Sequence, residues 1–214
     1  MNIEEELDKK GVDAAELAER VIKEPEYIAG LIEVLKAPKG TARYRSDKVL
    51  RVVSESRPDL LYPFFDVYAN LLDIDNSFIK WGAILTLANL VGVDTEKKFD
   101  DIFVKYYRPI TGNVMVTAAN IIGSSARIVS ARPELASRIT DEILKVEKAK
   151  YELHDVLSPE CRNVALGQAV DTFDEIFDLL GDKDTVVKFV KRQLKNTRNA
   201  VVKKAEKFIK RHKI

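Results

Sequence analysis

Apolar residues recur along most of the chain at intervals of three and four, which is the pattern of amphipathic helices. The most apolar stretch, residues 76–93, opens on Asn76, a good helix N-cap, and is interrupted mainly by Lys80, Thr86 and Asn89. A helix that is apolar on nearly every side is usually buried. We therefore predict that this stretch forms a buried helix near the middle of an all-α fold.

A three-residue pattern in this stretch recurs elsewhere: an apolar residue, a small residue four positions later, and a second apolar residue after four more. The small residues are Ser46, Ala83, Ala118, Ala165 and Ala205, at intervals of 37, 35, 47 and 40. Positions four apart share a helix face, so each small residue allows a neighbouring helix to approach closely. The long fourth interval predicts an extended first helix or a loop around residues 151–157.

Helix starts between these segments divide the chain into pairs of helices. Pro25, Pro58 and Pro133 suit first helical turns, and Asp94 and Asp182 suit helix caps. Asp13 predicts a cap for a helix over residues 14–23. The predicted single domain, 1–214, then holds a helical cap at 1–24 and repeats at 25–57, 58–93, 94–131, 132–181 and 182–214.

The segments Ile79-Lys-x-x-Ala83 and Cys161-Arg-x-x-Ala165 resemble the second-helix motif of the HEAT/armadillo class of helical repeats. Five such units would cover about residues 25–214. The resemblance implies a right-handed α-solenoid of helix pairs whose second helices line a concave face. Members of this class are mostly binding scaffolds, and a few are enzymes. Periods of this length independently predict a solenoid.

Composition says more about the cellular compartment of the protein than about its binding partner. The chain has 214 residues, 46% hydrophobic and 32% charged, with a net charge of +1 that favours no particular partner. A single cysteine excludes a disulfide framework and favours a reducing compartment. The first residues are acidic, unlike a secretory signal, and residues 76–93 are flanked by acids. We expect a cytoplasmic protein without a membrane partner.

Candidate catalytic groups are few. His154 and His212 are the only histidines, which argues against the metal-binding HEAT-like hydroxylases, because these need several His-Glu pairs. Cys161, seven residues after His154, could be a thiol nucleophile or a metal ligand. The favoured alternative is a small core residue, because Cys161 stands in register with Ile79.

An acidic stripe on the fourth repeat leaves two interpretations open. It consists of Asp171, Asp174, Glu175 and Asp178, which share one side of a helix. Paired carboxylates can perform acid–base chemistry, whereas a solvated face beside a basic repeat is the favoured alternative. We expect no enzymatic activity, no cofactor and no metal.

The basic neighbour of this stripe is the main charge anomaly. Residues 186–214 hold eleven Lys and Arg against one acid, Glu206, for a net charge of +10. Such a patch can bind phosphate backbones, and the favoured alternative is a terminal capping repeat with a polar outer face. The candidate patch residues are Lys195, Arg198, Lys203, Lys207, Lys210 and Arg211.

Helical geometry indicates which residues of the second helices point away from the core. At 100° per residue these include Tyr44, Lys48, Trp81, Leu85, Val116, Asn120 and Asn163. The middle of this predicted concave face is apolar or small, and its ends are charged. An apolar patch with a polar rim marks an interaction site. The alternative is that this face is already buried, by tight curvature of the solenoid, by the N-terminal helix or by self-association.

These features predict a non-enzymatic scaffold that binds a partner helix or peptide on the concave face. The alternative is a nucleic-acid-binding protein that uses the basic last repeat. It includes a likeness to the HEAT-like DNA alkylation-repair glycosylases, which use an aromatic cleft with Asp and Arg, through Trp81 with Arg45 or Arg127. An unrecognised enzyme is the third hypothesis.

Overall fold

The computed structural model describes Leu7 and residues 13–214, and this part of the chain is almost entirely helical. The prediction of an all-α fold is confirmed, with one short β-hairpin as the exception. The chain divides into two compact units, Met1–Asp101 and Ile102–Ile214, here called unit 1 and unit 2. The predicted cap at 1–24 falls partly on residues 1–6 and 8–12, which lie outside the described residues.

Unit 1 is built from short and medium-length helices. They are α1 (Ala14–Lys23), α2 (Tyr27–Lys36), α3 (Thr41–Ser56), α4 (Pro58–Leu61), α5 (Phe65–Leu71), α6 (Ser77–Leu90) and the start of α7 (Lys98–Tyr107), with 3-10 turns at Tyr62–Phe64 and Val91–Val93. The central helix is α3, which packs against α1, α2 and α6. The prediction of a buried helix over the 76–93 stretch is confirmed for α6.

Unit 2 is organised around its longest helix. Its helices after α7 are α8 (Met115–Ala131), α9 (Ala136–Leu144), α10 (Pro159–Ile176), α11 (Lys183–Gln193) and α12 (Asn199–His212), with 3-10 turns at Arg108–Thr111, Pro133–Leu135, Lys145–Lys148 and Phe177–Leu179. Helix α10 packs against α8, α11 and α12. Its hydroxyl-bearing Thr172 donates to the backbone oxygen of Ile122 at 3.0 Å, which ties α10 to α8.

The small residues aligned in the sequence are fully buried in both units. Each of them has no exposed surface: Ser46, Ala83, Ala118, Ala165 and Ala205. Ser46 departs from the alanine pattern, and its hydroxyl donates to the backbone oxygen of Leu31 at 2.6 Å. A buried hydroxyl with a partner avoids the cost of an unpaired polar group, so serine is tolerated there.

Local capping chemistry sets several helix starts, as the sequence predicts. The side chains of Asp13, Asn76, Ser158 and Asp182 accept backbone N–H groups at the starts of α1, α6, α10 and α11. Asp94 differs in position: α7 begins at Lys98, and the Asp94 carboxylate accepts the N–H groups of Lys98 and Phe99 at 2.9 and 2.8 Å.

The long fourth interval contains a loop with a β-hairpin, so of the two alternatives the loop is confirmed. Strands β1 (Glu152–Leu153) and β2 (Val156–Leu157) pair antiparallel, and the turn residues His154 and Asp155 have φ angles of 51° and 62°. Before the hairpin, the buried Tyr151 donates its hydroxyl to the backbone oxygen of Ile110 at 2.7 Å. This bond fastens the loop to the body of unit 2.

None of the helices that the structure describes has the length and apolar character that crossing a bilayer requires.

Candidate partner-binding sites

Unit 1 exposes three aromatic side chains side by side, Tyr44, Phe78 and Trp81, here called the aromatic surface. The rings of Tyr44 and Phe78 meet edge to face with centroids 6.3 Å apart, and those of Phe78 and Trp81 with centroids 5.3 Å apart. Phe78 is 67% exposed and Tyr44 43%, while Trp81 is half-buried. Large aromatic side chains supply much of the binding energy at protein interfaces, so this cluster is suited to contact with a partner.

The aromatic surface is held by the start of α6. Asn76 accepts the backbone N–H of Ile79 at 3.2 Å through its side-chain oxygen, which caps the helix. Its side-chain nitrogen donates to the hydroxyl of Tyr44 at 2.8 Å. One residue therefore both starts the helix that carries Phe78 and Trp81 and orients the ring contributed by α3.

A close approach between α3 and α6 brings the three rings together. Gly82 lies against the buried carboxylate of Asp47, and a Cβ at this glycine would lie 2.0 Å from the Asp47 Oδ1 atom. Only a residue without a side chain fits at this contact. Gly82 follows Trp81 directly, so the same contact fixes the Trp81 backbone beside α3.

Polar groups are buried behind the aromatic surface without complete hydrogen bonding. Among the described residues, Asp47 Oδ1, the Tyr68 hydroxyl and the Thr86 hydroxyl have no hydrogen-bond partner. Burial raises the pKa of Asp47 to about 6, against the lowering influence of Arg51 and Arg43. Burial, with a smaller contribution from Asp47, also raises the pKa of Tyr68 well above its ordinary value.

The other residues of unit 1 predicted on the concave face border the aromatic surface. Lys48 is exposed one turn after Tyr44 on α3, and Leu85 is half-buried one turn after Trp81 on α6. Arg51 continues the α3 side and is half-buried. The α3 border is thus cationic and the α6 border is apolar.

In unit 2 the predicted concave-face residues have different environments. Val116 is exposed, and Asn120 is half-buried with its side-chain nitrogen donating to the backbone oxygen of Val116 at 3.0 Å. Asn163 is buried, unlike the outward orientation expected for it, because the loop before α12 covers it. Its side-chain nitrogen donates to the Thr197 hydroxyl at 2.9 Å.

The basic patch divides into paired and exposed members. Arg198 forms an ion pair with Glu160, and Arg211 donates to Asp174 at 2.8 Å. The remaining members are exposed and have no carboxylate partner within residues 13–214: Lys195, Lys203, Lys207 and Lys210. On α12 the last three follow at intervals of four and three, so they share one helix face.

The acidic stripe of α10 supplies partners for this basic helix. Asp171 pairs with Lys204, and Asp174 receives both Arg211 and the Nε2 atom of His212 at 2.8 Å. The His212 ring also packs against Phe177 and Phe208, with centroids 4.3 and 4.6 Å away. The stripe thus docks α12 onto α10, which leaves two of its four carboxylates, Glu175 and Asp178, exposed.

Cys161 is buried with a free thiol, as expected for the core alternative. His154 lies exposed in the turn of the hairpin. Across Leu7 and residues 13–214, no group of three or more His, Cys, Asp or Glu side chains is arranged to hold a metal ion.

Unit 2 also has a cleft, not predicted from the sequence, between the start of α10 and the end of α11. It has a volume of about 350 Å³, and Arg162, Arg192 and Lys195 line it. Beside it lies a mainly apolar hollow of about 200 Å³, lined by Ala149, Lys150, Tyr151, Leu157, Ser158, Pro159 and Arg162. Arg162 and Pro159 border both. Two of its lining residues, Lys195 and Asn163, were predicted as members of other surfaces, and Arg162 stood within the repeat motif.

The outward positions assigned by the helical wheel begin at Trp81 on this helix, so they leave out Phe78, three residues earlier. Phe78 lies two residues after the capping Asn76, in the first turn of α6. A side chain in the first turn of a helix can extend beyond the contacts that bury the middle of the helix.

Comparison with known proteins supports the fold alone. No family model matches the chain, and no curated protein matches it significantly. The chain is similar to the crystal structure of an engineered protein from the Northeast Structural Genomics Consortium, with a TM-score of 0.56 and 17% sequence identity. The alignment covers 100% of this chain and 97% of that one.

Proposed function

We propose that the protein is a non-enzymatic scaffold that binds a partner polypeptide through the aromatic surface of unit 1. The observation that carries the proposal is the cluster of exposed Tyr44 and Phe78 with half-buried Trp81 on two helices that pack against each other. Exposed aromatic groups of this size on a rigid support are typical of interaction sites.

The borders of the aromatic surface favour one chemistry for the partner. The α3 side carries Lys48 and Arg51, and the α6 side continues into Leu85. A partner helix or peptide with apolar anchors and acidic residues along one edge would complement both sides. We therefore assign an amphipathic, acidic segment as the ligand.

Selection from an unbiased peptide display library tests this assignment. The expected result is enrichment of peptides with aromatic or aliphatic anchors next to Asp or Glu. Phe78→Asp should abolish their capture, because it places a charge at the centre of the apolar contact. Val104→Asp is the matched control, since Val104 is 74% exposed in unit 2. Equal capture by the two variants would contradict the proposal.

We further infer that the helix pairs form a HEAT-like right-handed solenoid. The five fully buried small residues at repeat-like intervals support this inference, because a solenoid of helix pairs would need one such residue in each pair. Small-angle X-ray scattering distinguishes the alternatives. A compact domain of this length has a radius of gyration of about 17 Å, and a solenoid should exceed that value.

A second candidate function, nucleic-acid binding, rests on the exposed lysines of α12. Lys203, Lys207 and Lys210 lie on one helix face, away from the acids that bind Lys204 and Arg211. Binding to duplex DNA or to RNA should weaken steeply with salt, because it releases counterions. The double change Lys207→Glu and Lys210→Glu should remove it, whereas Lys23→Glu in unit 1 should not. Absence of binding at low salt eliminates this candidate.

A further inference from the structure

The cleft of unit 2 carries uncompensated positive charge. Arg162, Arg192 and Lys195 line it, and its one acid is Glu147. Glu147 binds Arg192 through two parallel bonds, Nε to Oε1 and Nη2 to Oε2, each 2.8 Å long. Neither Arg162 nor Lys195 has a carboxylate partner in the part of the chain that the structure describes. The cleft therefore holds a net charge of about +2, and an anionic ligand would neutralise it.

The bidentate bond to Glu147 also fixes the direction of Arg192. With Nε and Nη2 engaged, the N–H groups of Nη1 are left for a further acceptor. A guanidinium oriented in advance loses less conformational freedom when it binds an anion. Glu147 thus orients the Arg192 guanidinium for binding, and it neutralises only one of the three positive charges of the cleft.

Neutral donors complete the wall of the cleft. The Asn163 side chain donates to the Thr197 hydroxyl, so the hydroxyl proton of Thr197 is available to a ligand. Asn196 donates to the side-chain oxygen of Gln193 at 3.1 Å. Asn163 and Gln193 are both at least nine-tenths buried, so this wall is part of the packed structure rather than a loose surface.

The hollow beside the cleft adds an apolar requirement. Its walls are mainly apolar, with Ala149, Tyr151, Leu157 and Pro159, and Lys150 and Ser158 also line it. Arg162 and Pro159 border both spaces. A ligand that bridges them must carry an anion next to an aliphatic group. No ring among the lining residues is exposed for stacking on a base, since Tyr151 is buried.

We propose that the cleft binds the phosphoryl group of a phosphorylated peptide, and that an aliphatic side chain beside the phosphoresidue enters the apolar hollow. Arginine recognises phosphate oxygens with paired N–H groups, which suits Arg162 and the free end of Arg192. Two uncompensated charges match a phosphate monoester dianion. The residues of this site belong to unit 2 and those of the aromatic surface to unit 1, so each proposal is tested by its own variants.

Fluorescence anisotropy with a labelled peptide tests the site in the full chain. The probe is Gly-Gly-Leu-phosphoserine-Leu-Gly-Gly, compared with its unphosphorylated form and with a form in which both leucines are glycine. Removing the phosphate should weaken binding at least about tenfold, and removing the leucines should weaken it several-fold. Arg162→Gln should weaken binding about tenfold. Lys203→Gln removes the same charge on α12 and should change binding less than about twofold.

Several outcomes would overturn the proposal. Equal binding of the phosphorylated and unphosphorylated probes rules out a phosphoryl site. Equal losses for Arg162→Gln and Lys203→Gln would show attraction by general charge alone. Displacement by a single-stranded oligonucleotide, without any effect of the leucines, would assign the cleft to nucleic acid. Because Arg162→Gln can perturb folding, NMR shifts of the wild-type Asn196 and Thr197 amides during titration give an independent measure. Shifts confined to these residues and their neighbours support the site, and shifts spread over α12 contradict it.

Discussion

The Asp47 carboxylate on α3 lies directly against Gly82 on α6, where an added Cβ would stand 2.0 Å from Oδ1. The contact is within unit 1 and behind the aromatic surface. It makes the spacing of two helices depend on the absence of one side chain.

We expect Gly82→Ala to lower the free energy of unfolding by about 1–3 kcal/mol, because the buried carboxylate or the helix must move. Urea unfolding followed by circular dichroism measures the loss. Gly181→Ala is the control, since no atom lies within 4 Å of its added Cβ. In an Asp47→Ala background the cost of Gly82→Ala should largely vanish. A full cost in that background would mean that the clash is not with Asp47.

Asp47 should also give unit 1 a pH-dependent stability. Its pKa rises to about 6 in the folded chain through burial, with Arg51 and Arg43 opposing the rise. The folded state therefore holds this proton more tightly than the unfolded state. The protonated Asp47 contributes fully to the free energy of unfolding below pH 3.8, and this contribution is lost as the pH rises through 6. The shift corresponds to about 3 kcal/mol.

The pH prediction is tested with Asp47→Asn, which stays neutral. The variant should gain stability relative to the natural chain between pH 4 and pH 7, measured as the difference between their unfolding free energies. Asp75→Asn changes an exposed carboxylate and is the control. Its unfolding free energy should differ from that of the natural chain by less than about 0.5 kcal/mol over the same pH range. A pH-independent difference for Asp47→Asn would refute the assignment.

Asn76→Ala should cost about 1 kcal/mol of stability, because the change removes the N-cap of α6. It should also leave the Tyr44 ring less firmly oriented, since the hydrogen bond from Asn76 to the Tyr44 hydroxyl is lost. Differential scanning calorimetry gives the first effect, and NMR of the Tyr44 ring gives the second. Asn70→Ala, an exposed position at the end of α5, should show neither effect. A stable variant with an unchanged Tyr44 environment would contradict this dual role.

Ala165→Leu should destabilise unit 2 by about 1–3 kcal/mol, because the residue is fully buried where α10 meets its neighbours. Ala200→Leu makes the same change on the exposed start of α12 and should stay within about 0.5 kcal/mol. Thermal unfolding compares the two. Similar melting temperatures would argue against the close helix contact that the aligned small residues indicate.

The turn of the hairpin should gain stability when its sequence is improved. His154 and Asp155 both have positive φ angles, a conformation that Asn-Gly adopts more readily. The double change His154→Asn and Asp155→Gly should raise the unfolding free energy by a few tenths to about 1 kcal/mol. A lower melting temperature for this variant would contradict the turn geometry.

Local signals in the sequence account for most of the helices. Caps such as Asn76 and Asp182 act through their own neighbours in the chain, and the small residues at 46, 83, 118, 165 and 205 mark buried positions by periodicity alone. The hairpin was not predicted, because two-residue strands are too short to show an alternating pattern. Each of these features depends on a few adjacent residues.

The candidate sites were harder to predict, because they depend on contacts between distant segments. The pairing of Asp47 with Gly82 spans 35 residues, and the bidentate bond of Glu147 to Arg192 spans 45. The charge count of residues 186–214 predicted a basic patch, yet ion pairs with α10 engage two of its members, Arg198 and Arg211. Composition counts charges and does not show which are neutralised by another helix.

Trp81 is the single tryptophan of the chain, and it stands half-buried beside Phe78. Its fluorescence emission is therefore an optical reporter confined to one helix of unit 1. A ligand seated on the aromatic surface would move this emission to shorter wavelength by excluding water from the indole. No tryptophan is among the residues that line the cleft of unit 2, so a ligand there is not expected to give this shift. The emission wavelength of an unlabelled sample can thus distinguish the two binding events.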